Sequence, residues 1–368
     1  MHEDQLNHNP ITPARIPRYL APLLFASTTI GVLIGNAIAL DDRQPTDYAA
    51  EQADGPDVCP EVEQKYIDEV EELLSEGIEQ AATRRLRATT FQLETKYDVT
   101  IPHAEIDSLE LSLSQDRAEI FTESATGETN VYYSQPYSYY QDKVTPVLAA
   151  YGIELVVLDE GQTMDEENIA GYSSAEMNSQ KAKANLVRMV RNLYPSPVEL
   201  ISYLGVKQAV VGNVIKPNTS GYVNTSPFPE TAFIDALAMN ERTLLHETGH
   251  VWDGANCGNE GMYEDPQFAA LMPQTIKNND RSLQSKLLGG PGVDESMGRI
   301  VATTEYALEE AVDGGIVENK AEIIARIADI ESYDTLPDAG PFVSSQHRLL
   351  MARLFRDAPN AVAYMIEL

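Results

Sequence analysis

Two histidines four residues apart, His246 and His250, with Glu247 beside the first, are the residues of this 368-residue chain whose types and spacing are best suited to chemistry. On a helix, positions four apart lie about 40° apart around the axis, so both imidazoles can reach one metal ion. Glu247 is turned away by one residue step. Its carboxylate can touch a metal-bound water without taking a ligand position, as a general base must. The chain has only six histidines, so His-Glu-x-x-His arises by chance with odds of roughly one in a hundred. A surface helix with two solvated histidines is the bland alternative.

The neighbouring residues predict the elements that must position the motif. Residues 231–236 read as a short strand, and Asn240 can cap a helix starting near Glu241. Leu244, Leu245, Val251 and Trp252 supply an apolar side, and Gly254 sits where a left-handed C-terminal cap is expected. Zinc needs a third protein ligand and an open position. A second acidic helix is expected over 300–313, with Glu305, Glu309 and Asp313 in one row and Gly314-Gly315 ending it. Such a row ordinarily marks a solvated face. With the histidine motif upstream and no other His- or Cys-rich cluster, it is the best source of the missing ligand.

His246-Glu-Thr-Gly-His250-x-x-Asp253, followed by Glu305-Tyr-Ala-Leu-Glu309-Glu-Ala, resembles the catalytic domain shared by anthrax lethal factor and the bacterial Pro-Pro endopeptidases. These are gluzincins, zinc metallopeptidases in which a glutamate on a later helix completes the metal site. The resemblance covers roughly the last 190 residues and is specific at the two helices. It implies Zn²⁺ held by His246, His250 and Glu305, Glu247 as catalytic base, and Glu309 supporting a histidine from behind. The wider class also uses Glu-x-x-x-Asp, which Glu309 and Asp313 match, leaving Glu309 as an alternative metal ligand. Asp253, seven residues past His246, returns to nearly the same face and can orient an imidazole; a helix-ending surface aspartate is its plain reading. The family carries a tyrosine seven residues before the ligand glutamate that helps stabilise the oxyanion, and this chain has Gly298 there. Tyr263, Tyr306 and Tyr222 are the candidate replacements. The layout also implies an edge strand that binds extended peptide by backbone pairing, placed at Gly221, Tyr222, Val223 and Asn224.

The chain carries 57 acidic against 26 basic residues, net −31. Too few cations remain to replace phosphate counterions, so nucleic acid is excluded as a partner. Residues 19–40 are uncharged, follow Arg15 and Arg18, and precede Asp41-Asp42. That pattern predicts an exported chain. Ala37-Ile38-Ala39 suits signal-peptide cleavage, while the length also suits a membrane tether. Cys59 and Cys257 are then free to pair, although two cysteines alone fix no geometry.

Residues 41–58 read as an acidic linker. Val62, Tyr66, Val70, Leu73, Leu74 and Ile78 repeat at helical spacing, and alternating runs at 109–113, 118–121 and 130–133, with a turn at Thr126-Gly127, suggest a small antiparallel sheet. Tyr132, Tyr133, Tyr137, Tyr139 and Tyr140 crowd around Pro136; packing at a sheet edge or domain seam is the ordinary reading, substrate or wall contact the other. Residues 144–151 and 153–158 read as helix then strand, and 159–177 as an acidic boundary. Further on, 208–215 reads as a buried strand and 220–224 as an edge strand. Asn218 and Asn224 head glycosylation-type triplets, and His347 is expected on the surface. The fold expected is α+β: a small α+β domain over 59–177, then a mostly helical zincin-like peptidase domain over 178–368 with a small edge sheet. The function expected is that of an exported zinc endopeptidase acting on peptide or protein. The alternatives are a catalytically inactive zinc-stabilised binding protein and a tethered surface protein using its tyrosines.

Overall fold

The computed structural model describes residues 59–83, 90–122, 129–194, 196–216, 219–224, 228–240, 242–261, 265–271, 316–328 and 345–368. The expected leader and linker over 1–58, the turn at Thr126-Gly127, Asn218, and the acidic helix over 300–313 lie outside them. In chain order come α1 (Gln64–Thr83), α2 (Thr90–Tyr97), α3 (His103–Gln115), the antiparallel pair β1 (Arg117–Thr122) and β2 (Thr129–Tyr133), α4 (Tyr137–Ala150), β3 (Glu154–Val157), β4 (Thr163–Met164), β5 (Ile169–Ala170) and α5 (Ser174–Met177). They are followed by α6 (Gln180–Arg191), α7 (Val198–Leu204), β6 (Gln208–Val214), β7 (Gly221–Val223), β8 (Thr231–Asp235), α8 (Thr243–Gly261) and α9 (Pro266–Ala270). The last elements are α10 (Val317–Ala328), α11 (Ser345–Asp357) and α12 (Pro359–Glu367). No helix among the described residues is long and apolar enough to cross a membrane.

The chain is thus mixed α and β, rich in helix, with a small sheet, which is compatible with α+β. Strands β3, β6 and β8 run parallel, with β6 between the other two. Strand β7 pairs antiparallel with β8 at one end, and the β4–β5 hairpin pairs with the last residues of β6. Side chains alternate across the sheet with the period of two that strands impose. Ala209, Val211, Ala232 and Ile234 face the main core, which runs from Val62 to Met365. Val210, Val214, Tyr222 and Phe233 face a smaller cluster with Leu158 and Ile169. Strands from both sides of residue 177 share this sheet, because β6 pairs with β3 as well as β8.

Four expectations are corrected. Residues 109–113 are helical, inside α3, because Ile106, Leu109 and Leu113 bury one side while Leu111 is exposed. An apolar residue at every second position for only five residues fits either period, and here burial three and four apart decides. Gly254 does not end its helix; the backbone leaves helical geometry at Gly258, with φ 68°. Residues 159–177 hold β4, β5 and α5, and Asp165 among them is buried. The tyrosine cluster packs, in line with its ordinary reading: Tyr133, Tyr137 and Tyr140 are core residues, Tyr140 edge-on to both Tyr133 and Tyr139, and of the five only Tyr132 is exposed.

His347 is the fourth: it is buried on α11. Burial, with the nearby Arg326 charge, lowers its pKa from 6.5 to about 3. Between those values the unfolded chain binds a proton that the folded one refuses, so stability falls as pH drops through that window. His347→Gln should therefore lose about 2 kcal/mol less stability between pH 7 and pH 5 than the wild type. Urea unfolding at the two pH values measures this, and equal losses would place the acid sensitivity elsewhere.

Candidate metal centre

Helix α8 is aimed by the strand before it. At the end of β8, Asp235 is buried and accepts hydrogen bonds from Val214 N at 3.0 Å, Leu237 N at 2.8 Å and Ala238 N at 2.6 Å, and from the Tyr172 hydroxyl at 3.1 Å. These fix the turn. Arg242 N then donates to Asn240 Oδ1 at 2.8 Å, and Asn240 N to Thr243 Oγ1 at 3.0 Å, which occupies backbone donors that a helix start leaves over. Leu244, Leu245, Val251 and Trp252 seat the helix in the main core.

The opposite side carries the histidines. His246 Nε2 and His250 Nε2 stand 3.0 Å apart. Glu318, in the first turn of α10, brings its Oε2 to 3.0 Å from His246 Nε2 and 3.3 Å from His250 Nε2. A tetrahedral ion with Zn–N and Zn–O bonds near 2.0–2.1 Å spaces its donors roughly 3.3 Å apart. The three donors therefore match, in type and spacing, what zinc requires. All three residues are partly exposed. Glu322, one turn beyond Glu318, places Oε1 at 3.1 Å from His246 Nδ1. That contact fixes the ring so that Nε2 faces the other donors. Burial opposes protonation of His246, but Glu318 and Glu322, with Glu247, raise its pKa to about 10. Glu318 is held well below the usual carboxylate range, its desolvation outweighed by the two histidines.

Glu247 is 3% exposed, and its Oε2 has no hydrogen-bond partner among the described residues. Burial pushes its pKa up, against the pull of the neighbouring histidines. It lies behind β7: a Cβ added at Gly221 would fall 2.7 Å from Glu247 Oε1 and 2.7 Å from Thr243 Cγ2. A larger residue there would have to displace the Glu247 carboxylate or the Thr243 methyl. Strand β7 pairs with β8 on one side and ends the sheet, so its other edge is unpaired among the described residues.

The other expected site residues fall out as follows. Val223 packs against the main core, on the same side as α8, whereas Tyr222 points to the opposite face. There its ring stacks on Phe233 at 4.8 Å, under Lys216. Alternation along β7 thus removes Tyr222 as an oxyanion partner. Asn224 donates to Asp165 Oδ1 at 2.6 Å. Glu305, Glu309, Asp313, Gly298, Tyr263 and Tyr306 lie outside the described residues. Asp253 is buried and its salt-bridge partner is Lys320, with Nζ 2.6 Å from Oδ2 and 2.8 Å from Oδ1. It ties α8 to α10 where the sequence suggested an imidazole contact. Cys59 and Cys257 form a disulfide, so the group they make with Asp253 offers no thiolate to a metal.

Glu318 and Glu322 escaped the sequence reading. The signal was present: Glu318-Asn-Lys-Ala-Glu322 has the same one-turn spacing as Glu305 and Glu309. It also precedes the Ile323, Ile324 and Ile327 stripe that packs its helix into the core.

Lys320 is itself fully buried, with Asp265 3.8 Å away and in turn paired with Arg353 at 2.9 Å. Lys320→Met should cost about 3–5 kcal/mol, because it strands Asp253 without a counter-charge in a dry site. Lys320→Met with Asp253→Leu should recover most of that. Thermal unfolding of the two variants reads the difference; equal destabilisation would assign the loss to packing.

Comparison with protein-family models, with curated proteins and with solved structures returns no match to this chain.

Proposed function

We propose that this chain is a zinc-dependent endopeptidase in which His246, His250 and Glu318 hold the metal and Glu247 is the general base. The observation that carries the reading is the convergence of three donor atoms 3.0–3.3 Å apart, with a buried carboxylate one residue from the first whose Oε2 has no hydrogen-bond partner among the described residues. Zinc bound there would acidify a water at its open position and polarise a carbonyl. Glu247 takes the water's proton and delivers it to the leaving amine. The elevated pKa that burial gives it suits both halves of that task. Glu322 orients His246 through Nδ1. The edge of β7 that is unpaired among the described residues aligns an extended peptide by main-chain pairing, and Gly221 lets that strand lie against the base.

This assignment moves the third ligand from Glu305 to Glu318 and the supporting glutamate from Glu309 to Glu322. The one-turn glutamate pair of the resemblance is kept, as is the zincin-like reading of residues 178–368. The cysteine pair suits an oxidising compartment, in line with export through residues 19–40, cleaved or kept as a tether. Peptide or protein is the substrate class, and nucleic acid is no partner of so acidic a chain.

A second reading, a zinc-stabilised binding protein without turnover, is favoured by the placement of Tyr222 on the far face of the sheet. Zinc content of the purified chain, with cleavage-site mapping on a mixed peptide library, separates the two. One zinc per chain and cleavage that a chelator abolishes and zinc restores are expected. Zinc without cleavage selects the second reading, and a chain that takes up no zinc removes both.

A further inference from the structure

We infer that Gly249 is a positioning residue: its missing side chain lets α10 approach α8 closely enough for Glu318 to join the two histidines. This rests on the zinc reading above. A Cβ built at Gly249 would stand 2.7 Å from Ala321 Cα, 3.0 Å from Ala321 O and 3.2 Å from Ala321 Cβ. Two of those three atoms are backbone, so no rotamer change makes room. Gly249 lies three residues after His246 and one before His250. Ala321 lies three after Glu318 and one before Glu322. The point where the two helices touch is therefore the layer that holds all four side chains of the centre.

Magnitudes decide what a methyl group would do here. Carbon atoms pack at about 3.5–4.0 Å, so a Cβ at 249 requires the helices to part by about 1 Å. Metal–ligand distances tolerate about 0.2 Å. The displacement is several times that tolerance, and Glu318 is the donor that moves, because both histidines travel together on α8. Lys320, clamped to Asp253 beside the contact, opposes a rotation of α10 that would swing Glu318 back. Helix formation is not the obstacle, since alanine is the better helix former.

The test uses the full chain, zinc affinity by competition with a chromophoric chelator, and Co²⁺ absorption as the coordination readout. Gly249→Ala, and Ala321→Val pressing from the other side, should each weaken zinc at least tenfold. Their Co²⁺ spectra should shift toward that of Glu318→Gln. In the Glu318→Gln background, Gly249→Ala should change zinc affinity less than about twofold, because the donor it displaces is already gone. Equal losses in both backgrounds, or wild-type affinity in both folded variants, would overturn the inference. So would loss of the native circular dichroism spectrum in both, which would make the contact a general packing need. Should Gly249→Ala alone fail to fold, Ala321→Val decides. A wild-type chain that takes up no zinc sinks the metal reading together with this one; tight wild-type zinc with an unchanged Gly249→Ala sinks only the glycine's role.

Discussion

Glu247→Gln is expected to lower peptide cleavage by about 10²–10⁴-fold, the range a positioned proton-transfer group supplies. Zinc content should stay at the wild-type level, because the Glu247 carboxylate is outside the donor set of His246, His250 and Glu318. Stability should move the other way. Burial raises the Glu247 pKa above its unfolded value, so the carboxylate costs stability as pH rises past about 4.5. The neutral amide avoids that cost, and the variant should melt no lower than the wild type at pH 7. Activity assays, metal analysis and thermal unfolding on one preparation check the three expectations together. Cleavage within tenfold of wild type would remove Glu247 as the base, and loss of zinc would make it a ligand.

Glu318→Gln is expected to weaken zinc by more than the ~10–100-fold typical of a supporting residue, with cleavage falling in proportion to metal occupancy. Glu322→Gln should fall within that supporting range, since its carboxylate meets the Nδ1 side of His246 and not the shared point. Glu305→Gln is the decisive companion. If α10 supplies the third ligand, Glu305→Gln keeps its zinc. If the acidic stretch over 300–313 supplies it, the two phenotypes exchange places. Competition titration against a chelator of known affinity reads all three variants.

Much of the local structure was legible in the residues. The Tyr66, Val70, Leu73 and Leu74 spacing marks α1, and the apolar run over 208–215 marks β6, buried on both faces between the two core clusters. The cap at Asn240 and the apolar side of α8 were equally plain, because they depend on neighbours within one or two turns. Errors arose where two local patterns tie or where burial decides. Residues 109–113 satisfy both the strand and the helix period. His347 looks polar in sequence, yet it sits buried on α11. Gly254 has the composition of a helix stop, but the helix runs on to the segment that the Cys59 disulfide holds.

The candidate metal centre divides in the same way. The sequence by itself determined the histidine pair and the glutamate beside it, because spacing of four on one helix brings two imidazoles together whatever the rest of the chain does. It could not choose between Glu305 and Glu318, which head identical one-turn glutamate pairs. Only the tertiary structure brings α10, among the described residues, onto α8. Its contact at Gly249 and Ala321, its isoleucine stripe in the core and its Lys320–Asp253 pair join residues some seventy positions apart. Such partners are selected by packing and desolvation over the whole fold, which no short window of residues encodes.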